Sequence, residues 1–184
     1  EPLSALDAKV RDSLREEIRR VQREIGVTTL FVTHDQHEAL AIADRVGVMS
    51  HGRLEQIDPP RALYEQPDSA FVAGFVGTVN RIPAEADGDR WRVLNRTVPG
   101  SVTTPGATLA AIRPEQLAVD VDAAGADTVR EVVFLGPLTR LSITHGDATL
   151  VADLLTAEFG GAAPGDRVRV RLRDDVDEIV LIEG

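Results

Sequence analysis

His34, Asp35, His37 and Glu38 stand within five residues of one another. Two imidazoles in an HxxH spacing with a carboxylate alongside invite a metal reading. HxxH plus a carboxylate falls short of a full ligand set, and the HExxH order of zinc proteases is absent. No metal site is expected, and His37 is read as a solvated helix residue. His34 has a different use. It follows the apolar run Thr28–Thr33, read as a strand covered on both faces, and ligands of open α/β sheets bind just past the strand ends. A histidine there can hydrogen-bond a ligand and take up or release a proton near neutral pH.

A second group is Arg167, Arg169, Arg171 and Arg173, which alternates with Val168, Val170 and Leu172. Alternation puts the guanidiniums on one face of a strand and the apolar side chains on the other. Such a row could be a basic patch. Asp166, Asp174, Asp175 and Asp177 flank it, so it is read as a solvated strand face. Trp91, the only tryptophan, is read as an anchor at the core or its rim rather than as a stacking platform.

The 184 residues are 43% apolar and 27% charged, within the range of globular chains of one or two domains. A net charge of −10 repels phosphate backbones and disfavours nucleic acid as a partner. With no cysteine, disulfides, CxxC redox chemistry and thiolate zinc sites are excluded. No apolar run approaches the ~20 residues that cross a bilayer, and no secretion signal is visible. The chain opens on Glu1 rather than Met, which is read as a cut or processed end.

The elements that would carry these residues fall into two kinds. Leu6, Val10, Leu14, Ile18, Val21 and Ile25 recur every three or four residues, one apolar stripe on a helix from Ser4 that Gly26 ends. Glu16, Arg20 and Glu24 are spaced for pairing on its other face. Asp35 with Glu38 opens a short helix to about Ala43. Arg45–Met49 and Arg53–Ile57 read as strands around a Ser50-His51-Gly52 turn. Asp58-Pro59-Pro60 caps a helix to about Glu65, and Pro67-Asp68 opens another that Gly77 closes. Beyond Gly77 the pattern becomes short alternating runs broken by Gly, Pro and Asp-Gly. Strands are expected at Arg90–Leu94, Thr108–Arg113, Thr128–Leu135, Thr139–Thr144, Thr149–Leu154, Arg167–Arg173 and Glu178–Ile182, as a small β-barrel or sandwich.

Several motifs occur in a recognisable order. Glu1-Pro2-Leu3-Ser4-Ala5-Leu6-Asp7 resembles the end of the Walker B motif and the D-loop of ABC-transporter ATPases. Val32-Thr33-His34-Asp35-Gln36, with Glu38-Ala39, resembles their switch-histidine segment. Gly52-Arg53, Pro60 to Tyr64 and Pro67 resemble the stretch that follows in ATPases of importers. Phe71-Val72-Ala73-Gly74-Phe75-Val76-Gly77 resembles the junction to a C-terminal domain, and Arg113-Pro114-Glu115 a tripeptide of that OB-like domain, called TOBE. The resemblance implies the C-terminal, α/β part of an ABC ATPase domain over residues 1–77, then an all-β OB-like (TOBE) barrel over 78–184.

It also implies roles. Glu1 would orient or deprotonate the water that attacks the γ-phosphate, and His34 would contact that phosphate. Ser4 and Asp7 would lie in the loop that meets a second ATPase subunit across the nucleotide. The only lysine, Lys9, precedes Val10, so these residues contain no G-x-x-x-x-G-K-[ST] phosphate loop; nor do they contain the Walker B aspartate, the Q-loop or the LSGGQ-type signature. The resemblance thus implies ATP and magnesium in the intact protein and no turnover by these residues alone. The implied partners are a second copy of the subunit and a membrane permease, with a cytoplasmic location on the membrane's inner face, and self-association of the fragment is expected. The stretch from Phe75 to Arg81 leans weakly toward polyamine or iron cargo. The alternative is a non-catalytic module for a small ligand or oxyanion, with Arg113 or Arg140 supplying positive charge.

Overall fold

In a computed structural model, residues 8–103 and 105–183 are described. They form two compact units, each described by itself. One comprises the chain as far as Asp68 with Phe75–Gly77; the other comprises Ser69–Gly74 with the residues from Thr78 onward.

The first unit is mixed α/β. Helix α1 spans Ala8–Ile25 and ends where Gly26, at φ +71, bonds back from its N–H to Gln22 O at 2.9 Å. Arg20 pairs with Glu17 and Glu24 on its exposed side at 2.5 and 2.6 Å. Helix α2 spans Gln36–Ile42, with Asp35 as its N-cap. Strands β1 (Val46–Ser50) and β2 (Arg53–Asp58) make a two-stranded antiparallel hairpin. Its two turn residues, His51 and Gly52, both have positive φ, 48° and 77°. Such a turn twists in the same sense as the strands it joins. Helix α3 spans Pro60–Glu65 and starts from Pro59, one residue later than the Asp58 cap expected. The Asp58 carboxylate instead accepts from Gln56 Nε2 at 2.9 Å.

The expected strand at Thr28–Thr33 is corrected. It pairs with no strand among the described residues, and Leu30 and Val32 are 90% and 67% exposed. A run of β-branched and aromatic residues becomes a strand only when a neighbour takes its backbone hydrogen bonds.

The second unit is mostly β. It begins with most of helix α4 (Ala70–Phe75). Its strands are β3 (Asn80–Pro83), β4 (Glu85–Asp87), β5 (Arg90–Val93), β6 (Arg96–Val98), β7 (Gly100–Val102), β8 (Leu109–Ile112), β9 (Leu117–Val121), β10 (Asp127–Phe134), β11 (Leu138–His145), β12 (Ala148–Leu155), β13 (Arg167–Leu172) and β14 (Ile179–Ile182). They form an antiparallel five-stranded sheet in the order β12-β11-β10-β13-β9, a four-stranded sheet β3-β8-β14-β7 and a three-stranded meander β4-β5-β6. Among the described residues only β14–β7 pairs in parallel. One core draws on these sheets, with Ile112, Leu117, Leu141, Ile143, Leu172 and Leu181 fully enclosed. Trp91 packs half-buried against it. Gly100 allows that approach, because a Cβ there would stand 2.8 Å from Trp91 Cδ1.

Candidate functional site

The local sequence around His34 determines its geometry. Asp35 Oδ1 accepts from the N–H groups of His37 and Glu38 at 2.9 and 3.2 Å, two of the donors that a helix start leaves unpaired. In a capping box the Glu three residues on would reach back to the cap's own N–H. Here that N–H, of Asp35, donates to Thr33 Oγ1 at 3.0 Å, and the Thr33 hydroxyl donates to Glu38 Oε2 at 2.6 Å. Glu38 is buried at 5% exposure. Its other oxygen, Oε1, accepts from Arg15 Nη2 at 3.0 Å, and the same nitrogen lies 3.9 Å from Asp35 Oδ2. The Thr33 hydrogen bond holds the Glu38 carboxyl below the usual carboxylate range. Burial opposes this, and Arg15 reinforces it.

One turn further along α1, the Arg19 guanidinium reaches the Ile42 carbonyl and lies 3.4 Å from Asp44 Oδ1. Arg15 and Arg19 therefore hold opposite ends of α2, where a cation beside the last carbonyls also suits the helix dipole. The apolar periodicity of α1 does not single out either arginine, and their i,i+4 spacing is shared with Arg11 and Arg23, so no local sequence signal picks them out.

The His34 side chain is exposed, so the loop presents it outward while both flanking residues are held. His37 is 94% exposed and 3.7 Å from Asp35 Oδ1. Glu1, Ser4 and Asp7 lie outside the described residues. Among the described residues no group of three or more His, Cys, Asp or Glu side chains is placed to hold a metal ion.

Arg113 and Arg140 are not brought together with His34; both belong to the second unit. Arg113 is buried at 5% exposure, and its Nη1 donates to Ala73 O at 2.8 Å and Thr78 O at 3.3 Å. Arg140 grips Asp153 with Nε and Nη2, each at 2.7 Å, across the β11–β12 pair. In the arginine row, Arg169 pairs with Asp122, Arg171 with Asp120 and Arg173 with Asp175 at 2.6, 2.8 and 3.0 Å. Arg167 reaches Gly125 O, 2.8 Å from its Nε. The row is thus a surface laced with ion pairs.

Comparison with known proteins defines the class. Residues 110–176 match the family model of the TOBE domain. The chain belongs with the ATP-binding subunits of ABC importers, as their C-terminal region with its TOBE domain. It is 45% identical over 147 residues to a sulfate/thiosulfate import ATP-binding protein of Caulobacter vibrioides, covering 80% of this chain and 43% of that one. It is 42% identical over 194 residues to a spermidine/putrescine import ATP-binding protein of Acidothermus cellulolyticus, covering 91% and 49%. It is 41% identical over 182 residues to an Fe(3+) ions import ATP-binding protein of Rhizobium meliloti, covering 85% and 45%. The chain therefore spans about half the length of these relatives. Sulfate, polyamine and iron relatives match at similar overall identity. No helix among the described residues is long and apolar enough to cross a membrane.

Proposed function

We propose that this chain is the C-terminal part of a subunit whose ATP binding and hydrolysis drive solute import through a membrane permease. Two subunits close around ATP and reopen after hydrolysis, on the inner face of the membrane. Glu1 activates the attacking water, since a carboxylate can accept its proton. His34 hydrogen-bonds the γ-phosphate and stabilises the charge that shifts during transfer. Ser4 and Asp7 lie in the loop that meets the second subunit. ATP and magnesium belong to the intact protein, and the grip on them comes from residues other than those described. Residues 1–77 belong to the ATPase domain, and 78–184 form an OB-like barrel. The Asn80 side chain, which bonds to both β8 and β12, supports the barrel by tying its sheets together.

The observation that carries the reading is an exposed His34 held on both sides, directly before a helix N-terminus, within the motif order of the importer ATPases. The oxyanion alternative has less support, because Arg113 donates to main-chain carbonyls and Arg140 is neutralised by Asp153. The test is steady-state phosphate release by the full-length protein. Glu1→Gln is expected to abolish turnover with ATP still bound, and His34→Ala to lower it about 100-fold or more. Near-normal turnover in His34→Ala would remove the histidine from the γ-phosphate.

A further inference from the structure

Between Thr33 and Arg15 the polar groups form a directed chain. An ionised carboxylate is acceptor-only, so Glu38 obliges the Thr33 hydroxyl to donate to it, at 2.6 Å. That leaves the Thr33 oxygen to accept from the Asp35 N–H at 3.0 Å. The Arg15 guanidinium, 3.0 Å from the far oxygen of Glu38, keeps the carboxylate ionised and in place. Helix capping does not need this chain, because Asp35 already serves the N–H groups of His37 and Glu38. What the chain fixes is the backbone on both sides of His34, whose own side chain is exposed.

We infer that Glu38 is a positioning residue for His34, and that Arg15 transmits the placement of α1 to the histidine loop through it. The inference rests on the reading of His34 as the γ-phosphate contact. A misplacement of about 1 Å in a reacting group can cost about 100-fold in rate, and the hydrogen bonds from Arg15 through Glu38 to Thr33 and Asp35 hold the residues on both sides of His34. Glu38 touches no substrate; it acts through Thr33 and Asp35. Its loss should therefore lower kcat and leave ATP binding, which relies on other parts of the protein, nearly intact.

The experiment uses full-length protein and compares Thr33→Val, Thr33→Ser and Glu38→Ala with wild type. Thr33→Val and Glu38→Ala should lose about 10- to 100-fold in kcat with KM for ATP changed less than about threefold. Thr33→Ser, which keeps the hydroxyl, should stay within about twofold of wild type. Wild-type kcat in Thr33→Val would overturn the inference, and so would a KM that rises as far as kcat falls. Amide exchange separates this from a failure of the ATPase reading. Glu38→Ala should speed exchange at Asp35 whether or not the protein hydrolyses ATP, and unchanged exchange there would overturn the positioning role. A wild type without turnover would instead overturn the ATPase reading and leave exchange to decide the positioning role.

Discussion

The side-chain amide of Asn80 pairs with the main chain of Val151 as a strand residue would. Its Nδ2 donates to Val151 O at 2.8 Å, and its Oδ1 accepts from Val151 N at 2.7 Å. Val151 lies on β12, the edge of the five-stranded sheet, and Asn80 on β3, the edge of the four-stranded sheet. Nδ2 also reaches Ile112 O at 3.2 Å. One buried side chain thus closes an edge that would otherwise be open to another strand and joins two sheets. Asn80→Leu keeps the approximate size but strands a main-chain donor and acceptor. The expected cost is about 2–4 kcal/mol, read as a lower denaturation midpoint at constant m-value in chemical unfolding.

Arg113 makes a separate prediction about where the β unit begins. Its guanidinium is buried and takes the Ala73 carbonyl at 2.8 Å, and Ser69–Gly74 cluster with the residues beyond Thr78. A polypeptide starting at Ser69 should melt cooperatively with a β-type circular dichroism spectrum. One starting at Thr78 keeps the Thr78 carbonyl and loses that of Ala73, leaving part of a buried cation without its acceptor. It should be less stable by about 1–3 kcal/mol. Equal melting of the two pieces would place the boundary at Gly77.

The contrast between long and short strands explains what was legible in the sequence. Arg167–Leu172 alternates over its whole length, and the hairpin strands β10, β11 and β12 run eight residues each; such patterns report the buried face directly. Glu85–Asp87, Arg96–Val98 and Gly100–Val102 have three residues each, too few for periodicity to register, and form because neighbours take their hydrogen bonds. Thr28–Thr33 fails for the opposite reason: the pattern is there, and the partner strand is not among the described residues. The Asp35 cap was legible in the Asp35–Glu38 spacing. Arg15 came only with the structure, because it lies 23 residues from Glu38 and no local spacing links them.

Glu38 gives a pH dependence of definite sign. Its carboxyl is held below the ordinary range, first by the Thr33 hydrogen bond, so over that interval the unfolded segment binds more protons than the folded one. Stability then rises with pH. The contribution is complete above the unfolded value of about 4.3 and is lost as pH falls through the lower folded value. Amide protection of Gln36–Ile42 should exceed that of Glu38→Gln at pH 7, and the difference should shrink as pH falls below the ordinary carboxylate range. A constant difference across that range would mean that Glu38 is not ionised in the fold.

The last prediction concerns apolar surface in the first unit. Ile25, Val27, Leu30 and Val32 are 65%, 47%, 90% and 67% exposed, and Met49 and Leu54 on the hairpin are 61% and 56% exposed. The stripe of α1 is also open, with Val10 at 47% and Leu14 at 36%. A monomer in water rarely leaves so many large apolar groups uncovered along neighbouring segments. The Thr28–Thr33 run adds backbone groups that no strand among the described residues pairs with, a template for another chain. Burial at ~25 cal/mol per Å2 makes association favourable once several hundred Å2 are covered. The 184-residue polypeptide is therefore expected to self-associate through its first unit. Light scattering on a size-exclusion column at ~50 μM checks this concentration range against the micromolar affinities of modest interfaces. Leu30→Asp with Val32→Asp should shift the population toward the monomer, because each places a charge where apolar area would be covered. A 19.8 kDa monomer in the unsubstituted chain, with a sharp melt, would show that these side chains are stable in water as they stand.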